Sequence, residues 1–191
     1  MRHCVIGSLL LLISSACAQQ SSTDSPAANI NTPTAPGTLV SGGLAAIRLN
    51  AGTHLSGDHE NPPRDTLAQG QAIFQLNPAG TVLSYRLIAS NIENVVAAHI
   101  HLGAPDVNGG IVVFLYGNAP PAGGRTDGVL ATGTITGANL INDLAGQPLS
   151  ALISHIEAGN AYVNVHTNDG VAPTNTGPGD FPGGEIRGQL P

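Results

Sequence analysis

The sequence has no lysine and no tryptophan, only two cysteines, and charged side chains at 9% of its 191 positions. Each scarcity excludes something. The six basic residues are all arginines, scattered along the chain, and the net charge is −6. Nothing is therefore available to neutralise a row of phosphates, which excludes nucleic-acid binding through a basic surface. Both cysteines, Cys4 and Cys17, lie near the N-terminus. The rest of the chain is then without an internal disulfide and is held by its core. Long apolar runs are missing too, since the stretch from Cys4 to Ile13 falls short of the roughly 20 residues that span a bilayer. No nucleophile elbow, phosphate loop or Ser/His/Asp spacing is present, and Asp106, Asn108 and Asp127 lack calcium-loop spacing. There is no internal repeat.

What is present suits strands. Hydrophobic residues make up 41% of the chain, with 25 glycines and 14 prolines, a composition of short strands joined by tight turns. Ala45–Leu49 is a strand candidate, followed by a polar stretch from Thr53 to Pro63 that reads as a loop. Alternation predicts strands over Ala68–Leu76, Thr81–Ser90, Val95–Leu102, Ile111–Tyr116, Val129–Thr136, Ala161–Thr167 and Glu185–Leu190. Leu149, Leu152, Ile153 and Ile156 instead follow helical spacing after Pro148, with Gly159 placed to close a helix over Ser150–Ala158. The expected fold is all-β: an antiparallel Greek-key β-sandwich of seven to eight strands with one short helix.

The N-terminus reads as an export signal over 1–18: a charged start, an apolar segment, then Ser14-Ser15-Ala16-Cys17-Ala18. Cys17 after three small residues resembles the lipobox of bacterial lipoproteins, in which the cysteine is lipidated and begins the mature chain. Ser14 departs from the bulky aliphatic usual there, and Ala16-Cys17-Ala18 also fits ordinary cleavage before Gln19. Residues 19–37, rich in Ser, Thr, Ala, Asn and Pro, read as a flexible tether, and 38–191 as one domain. The expected location is outside the cytoplasm, periplasmic or at the cell surface. A lipid on Cys17 would be the only tie to a membrane; the alternative is a secreted protein.

The chemistry-bearing residues concentrate in three strands. In Ala97–Gly103, alternation puts His99 and His101 on one face and Ala98, Ile100 and Leu102 on the other. In Ala161–Thr167, Asn164 and His166 oppose Val163 and Val165. Glu185 and Arg187 alternate likewise around Ile186. If the three strands are neighbours, these side chains form one polar patch outside the core. Neutral imidazole suits copper and zinc, so His99, His101 and His166 are candidate metal ligands, copper binding the more tightly. The other reading has them hydrogen-bond Asn164, Glu185 and backbone groups to pin the sheet. Glu185 and Arg187 read as an internal ion pair; alternatively Arg187 attracts an anion and Glu185 orients a histidine. His54 and His59 read as part of a solvated loop, and His155 as a helix-face residue.

These residues resemble the CHRD family, the domain named after chordin and common in bacterial exported proteins. The resemblance runs in order through Gly57, Glu60-Asn61-Pro62-Pro63, Gly70–Phe74, Leu76-Asn77, Gly80-Thr81, Asn91-Ile92, Ala97–His101, Gly103, Gly133–Thr136, Ala158–Thr167 and Gly184–Gln189. Asn61 stands where the family has a small aliphatic, and the loop Asn168–Gly183 is longer than usual. The family's biochemical role is generally unassigned, so the resemblance implies a binding or structural module of the cell envelope, with an unidentified envelope or extracellular partner. A second, motif-level resemblance is to the copper-zinc superoxide dismutases, themselves Greek-key sandwiches or barrels. There a His-x-His strand and a late Val-His strand supply copper ligands and a C-terminal arginine guides an anion. His99, His101, His166 and Arg187 fall in that order here, with no counterpart of the bridging histidine, the zinc loop or the disulfide. That resemblance implies the alternative function, a copper-dependent redox protein; otherwise the expected module needs no cofactor and is no enzyme.

If Cys17 carries the lipid, Cys17→Ser will block processing or release the domain from membranes on cell fractionation. A soluble mature protein beginning at Gln19, unchanged by the substitution, would overturn the lipid anchor.

Overall fold

The computed structural model describes residues 49–191. The export segment, Cys17, the tether and all but the last residue of the strand candidate Ala45–Leu49 lie outside the described residues. Eight strands and one helix follow: β1 (Asn50–Ser56), β2 (Gln69–Leu76), β3 (Leu83–Glu93), β4 (Val95–Leu102), β5 (Ile111–Tyr116), β6 (Arg125–Ile135), α1 (Leu149–Glu157), β7 (Ala161–Thr167) and β8 (Ile186–Gln189). The expected all-β class and the single helix are what is found.

One sheet runs in the order β5-β4-β7-β8-β1-β2-β3-β6, antiparallel at every pairing. Its two edges, β5 and β6, lie against each other. Tyr85 on β3 donates its hydroxyl to the Leu115 carbonyl on β5 at 2.6 Å, so the sheet curls back towards a barrel or sandwich. Strands β4, β5 and β6 follow one another in space, and β7 returns beside β4 after the connection bearing α1. That return is the Greek key.

The core follows from alternation. Leu55, Phe74, Leu87, Ala98, Ile100, Val163, Val165 and Ile186 are all at most 1% exposed. Leu149, Leu152, Ile153 and Ile156 of α1 pack against the same cluster. The helix closes with Gly159 at φ +67°: Gly159 N–H donates to the Ile156 carbonyl and Asn160 N–H to that of His155, the Schellman pattern.

The stretch expected as a loop from Thr53 to Pro63 is divided. Residues up to Ser56 belong to β1, which pairs with β2 along its whole length, and a single 3-10 turn, Gly57–His59, follows. Only Ala51 and Leu55 of β1 are buried, so its polar outer face hid the alternation. Strand β3 also runs past the expected end at Ser90, and β6 starts earlier than Val129. Ile92 and Glu93 pair with Thr126 and Arg125 beyond an irregularity in the ladder, which interrupts the alternation at Asn91, whose φ is +51°.

Tyr85→Phe deletes the hydroxyl that joins β3 to β5 and leaves the Leu115 carbonyl without that donor. The expected loss is about 1–2 kcal/mol, read as a lower urea midpoint at unchanged m-value.

Candidate metal centre

Strands β4, β7 and β8 are adjacent, and their register brings the polar residues together. His99 lies opposite Asn164, His101 opposite Tyr162 and Ala97 opposite His166, while Asn164 lies opposite Arg187. Directly paired residues share a face, so all three histidines stand with Tyr162, Asn164 and Arg187 on the face away from the aliphatic core. This face is not open to water. His99, His101 and His166 are 6%, 7% and 9% exposed and Arg187 is 1% exposed. Three connections close over it: 57–68, 103–110 and 168–185. On the other side of β4, strand β5 carries irregularities that flank both histidines, of the kind that re-aims side chains beside functional sites. Phe114 packs edge-on against His99 with ring centroids 4.6 Å apart.

One nitrogen from each imidazole lies within 4.8 Å of the other two. The His101 Nδ1 is 2.9 Å from the Gly109 carbonyl and the His166 Nδ1 is 2.9 Å from the Pro182 carbonyl. A carbonyl only accepts, so both Nδ1 atoms carry the proton and both Nε2 atoms present a lone pair. His99 Nδ1 then donates to His166 Nε2 at 3.0 Å. The Nε2 atoms of His99 and His101 are buried with no partner. Metal-ligating histidines usually donate the second ring N–H to a carbonyl or carboxylate, and two of the three already do. Bonds of about 2.0–2.1 Å to a shared ion put ligand nitrogens about 3.3 Å apart in a tetrahedral site. The 3.0 Å contact between His99 Nδ1 and His166 Nε2 is a hydrogen bond that an ion on His166 Nε2 would replace, and nitrogens within 4.8 Å of one another reach the tetrahedral spacing by side-chain motion of about 1.5 Å.

Charge agrees with this arrangement. Burial, then His166 and His101, lowers the His99 pKa from 6.5 to about 3. Burial likewise takes His166 down to about 4, the Pro182 hydrogen bond opposing and His101 adding a little. His101 is lowered by burial, against the Gly109 hydrogen bond and with help from Arg187. All three rings are neutral at pH 7, the form that donates to a metal.

Glu185 and Arg187 do not pair. Among the described residues the one ion pair is Arg125–Asp127. Glu185, fully buried, accepts from the Thr66 and Thr167 hydroxyls, each at 2.6 Å, and from Gly179 N–H at 2.9 Å. Arg187 donates to the carbonyls of Ala104 and Val107 and to the side chains of Asn108 and Gln189, at 3.1–3.2 Å. Its guanidinium lies 3.5 Å over the Tyr162 ring. The opposite-sign spacing suggested an ion pair, but the two side chains serve different loops.

Two residues escaped the sequence reading as parts of the site. Tyr162 stacks on His101 at 4.9 Å and 12°; its only signal was its place opposite His101 once β4 and β7 pair. Glu60, read as a loop carboxylate, is 5% exposed and accepts from Asn164 Nδ2 at 3.4 Å. Burial raises its pKa from 4.5 to about 7, with Arg187, Arg64 and hydrogen bonds from Asn164 and Asn61 opposing. Its Oε1 and the Asn164 Oδ1 are both buried without a partner; a protonated Glu60 could donate where a carboxylate cannot. His54, on β1, and His59 are exposed, and His155 is half-buried on α1; none belongs to the cluster.

These shifts oppose one another in pH dependence. The unfolded imidazoles take up protons below pH 6.5 while the buried rings resist down to about 3–4, so they lower stability as pH falls. Glu60 binds its proton in the folded state between about 7 and 4.5, and so raises stability as pH falls through that window. With more than one imidazole against one carboxyl, metal-free protein will lose stability from pH 6.5 downward, most steeply below 4.5. Glu60→Gln should steepen the fall between 6.5 and 4.5. Urea midpoints across pH test both, and midpoints flat from 6.5 to 4 would contradict the assignment.

A family model described as CHRD domain matches residues 51–190, from the second residue of β1 to the residue after β8. No curated protein and no solved structure gives a match. The matched span holds every strand, Asn50 apart, and all three clustered histidines, and the chain belongs to the CHRD domain family.

Proposed function

We propose that this domain is a copper-binding module, holding one ion through His99, His101 and His166 and displayed outside the cell on a lipid tether at Cys17. The observation that carries it is the convergence of three neutral, buried imidazoles, two with Nε2 lone pairs that meet no protein partner. Leaving such atoms unpaired in the interior is costly, and an ion shared among them removes that cost. Imidazole donors favour copper(II) over zinc in affinity. Three ligands leave a coordination position for water or a small anion.

Binding is favoured over turnover by what surrounds the cluster. A free cation at the mouth would speed the arrival of a small anion at a redox centre, whereas Arg187 is committed to two backbone carbonyls, Asn108, Gln189 and the Tyr162 ring. The module therefore stores, senses or hands over the ion, and copper-dependent redox chemistry on superoxide or a similar oxidant is the second reading.

Protein purified without added metal should take up one equivalent of copper(II) at neutral pH and bind zinc more weakly, followed by titration and elemental analysis. His101→Ala or His166→Ala should weaken copper binding by at least a hundredfold, whereas His54→Ala and His155→Ala should leave it unchanged. Failure of the wild-type protein to take up copper would leave the histidines a structural cluster. Rapid superoxide consumption by the loaded protein would favour the second reading.

A further inference from the structure

Two of the three imidazoles are oriented by backbone carbonyls in loops, and a loop carbonyl orients nothing unless the loop is held. The Gly109 carbonyl faces His101 from the 103–110 connection, and the Pro182 carbonyl faces His166 from the 168–185 connection. We propose that the two buried charged residues bracketing Ile186 are positioning residues for the cluster, each acting on one histidine through one loop. Arg187 sets His101 through Gly109, and Glu185 sets His166 through Pro182. The inference rests on the copper reading and says what keeps that site in shape.

The Arg187 arm is a closed circuit. Its Nη2 donates to the Ala104 and Val107 carbonyls, both at 3.1 Å, and its Nη1 to Asn108 Oδ1 at 3.2 Å, so the turn is held up to the residue before Gly109. Gly109 donates its N–H to the Tyr162 hydroxyl at 3.0 Å while its carbonyl faces His101. Tyr162 is itself sandwiched between the His101 ring and the Arg187 guanidinium. Only glycine fits there, because a Cβ on Gly109 would fall 1.5 Å from the Leu102 carbonyl oxygen. A guanidinium suits this task because its several N–H groups sit in a rigid fork.

The Glu185 arm shares none of these partners. One carboxylate oxygen accepts from Thr66, and the other from Thr167 and Gly179. Thr167 Oγ1 in turn accepts from Phe181 N–H at 3.0 Å, and the Phe181 carbonyl accepts from Thr167 N–H and Gly184 N–H. The chain from Gly179 to Gly184 is thereby wrapped around the end of β7. Pro182 sits inside that wrap, and having no N–H it offers the backbone carbonyl alone. An acceptor-only carboxylate is what three converging donors require.

Because the arms are separate, their effects should separate. In the full chain, nitrogen-resolved NMR of the imidazoles should show His101 and His166 of wild type each as the Nδ1–H form. Arg187→Lys should mix the tautomers of His101 and leave His166 alone; Glu185→Gln should do the reverse. Each should weaken copper binding about 10–100-fold, the range for lost outer-shell partners. If either substitution prevents folding, Asn108→Ala and Thr66→Val remove one tie from each arm and carry the same test. Unchanged tautomers, or both histidines shifting together in either variant, would overturn the inference. Tautomers that shift as expected in a protein that takes up no copper would uphold the positioning roles and sink the copper reading. Copper uptake with unmoved tautomers would do the opposite.

Discussion

The rest of the structure depends on one constraint: a sheet face made of imidazoles, an amide and a guanidinium is buried, so its polar atoms require partners that the strands cannot supply. The ladders between β4, β7 and β8 already use the backbone groups of those strands. Side-chain partners therefore come from the connections that fold over the face. Gly109 and Pro182 supply carbonyls to two histidines, Glu60 supplies a carboxyl to Asn164, and Ala104 and Val107 supply carbonyls to Arg187. The loops are where they are because the face beneath needs acceptors. The same logic runs outward, since Asn61 Nδ2 bonds the Asp106 carbonyl and Asn108 Nδ2 the Asn61 carbonyl, fastening two of the covers to each other.

The opposite face of the same strands explains why the register does not slip. Ala98, Ile100, Val163, Val165 and Ile186 fill the core with exposure of 0% each. Moving β4 by one residue would place two imidazoles against aliphatic side chains and two aliphatics among the polar covers. The hydrophobic side thus fixes the histidine side. From Ala97 to Leu102 strand β4 pairs with β7 without interruption; the irregularities beside His99 and His101 fall on β5, and the one on β4 lies earlier, at Val96.

Much of this was legible from the chain itself where alternation is clean. The bounds of β4, β5 and β7, the helix with its Gly159 closure and the shared face of His99 and His101 follow from spacing, whereas His166 joins them only because β4 and β7 are neighbours. Strand β1 was hidden because just two of its residues point inward, and the extension of β3 because a left-handed Asn91 interrupts the count. At the site, what stayed out of reach was whatever depends on loops. No periodicity shows that Glu60, in a Pro-rich turn, ends up buried, nor that Glu185 and Arg187, two apart and of opposite charge, turn to separate connections. Backbone carbonyls carry no side-chain signature at all; Gly109 and Pro182 leave only indirect traces, the first in a Gly-Gly turn and the second as a residue without an N–H.

Charge placement distinguishes a site built for a neutral ring from one built for a charged one. A buried imidazolium is ordinarily held by a carboxylate within a few ångströms, and here the buried carboxylates are bonded elsewhere: Glu185 to two hydroxyls and an N–H, Glu60 to Asn164, and Asp180 to Thr176. Arg187 adds a positive charge close enough to lower His101 further. Burial and the neighbouring positive groups push the three rings towards the unprotonated form, and only the Gly109 and Pro182 carbonyls pull His101 and His166 the other way. A cluster whose purpose was to bind protons would carry the opposite surroundings. Neutral rings kept close, dry and oriented by carbonyls have lone pairs to share, and the strand register supplies three of them to one small volume.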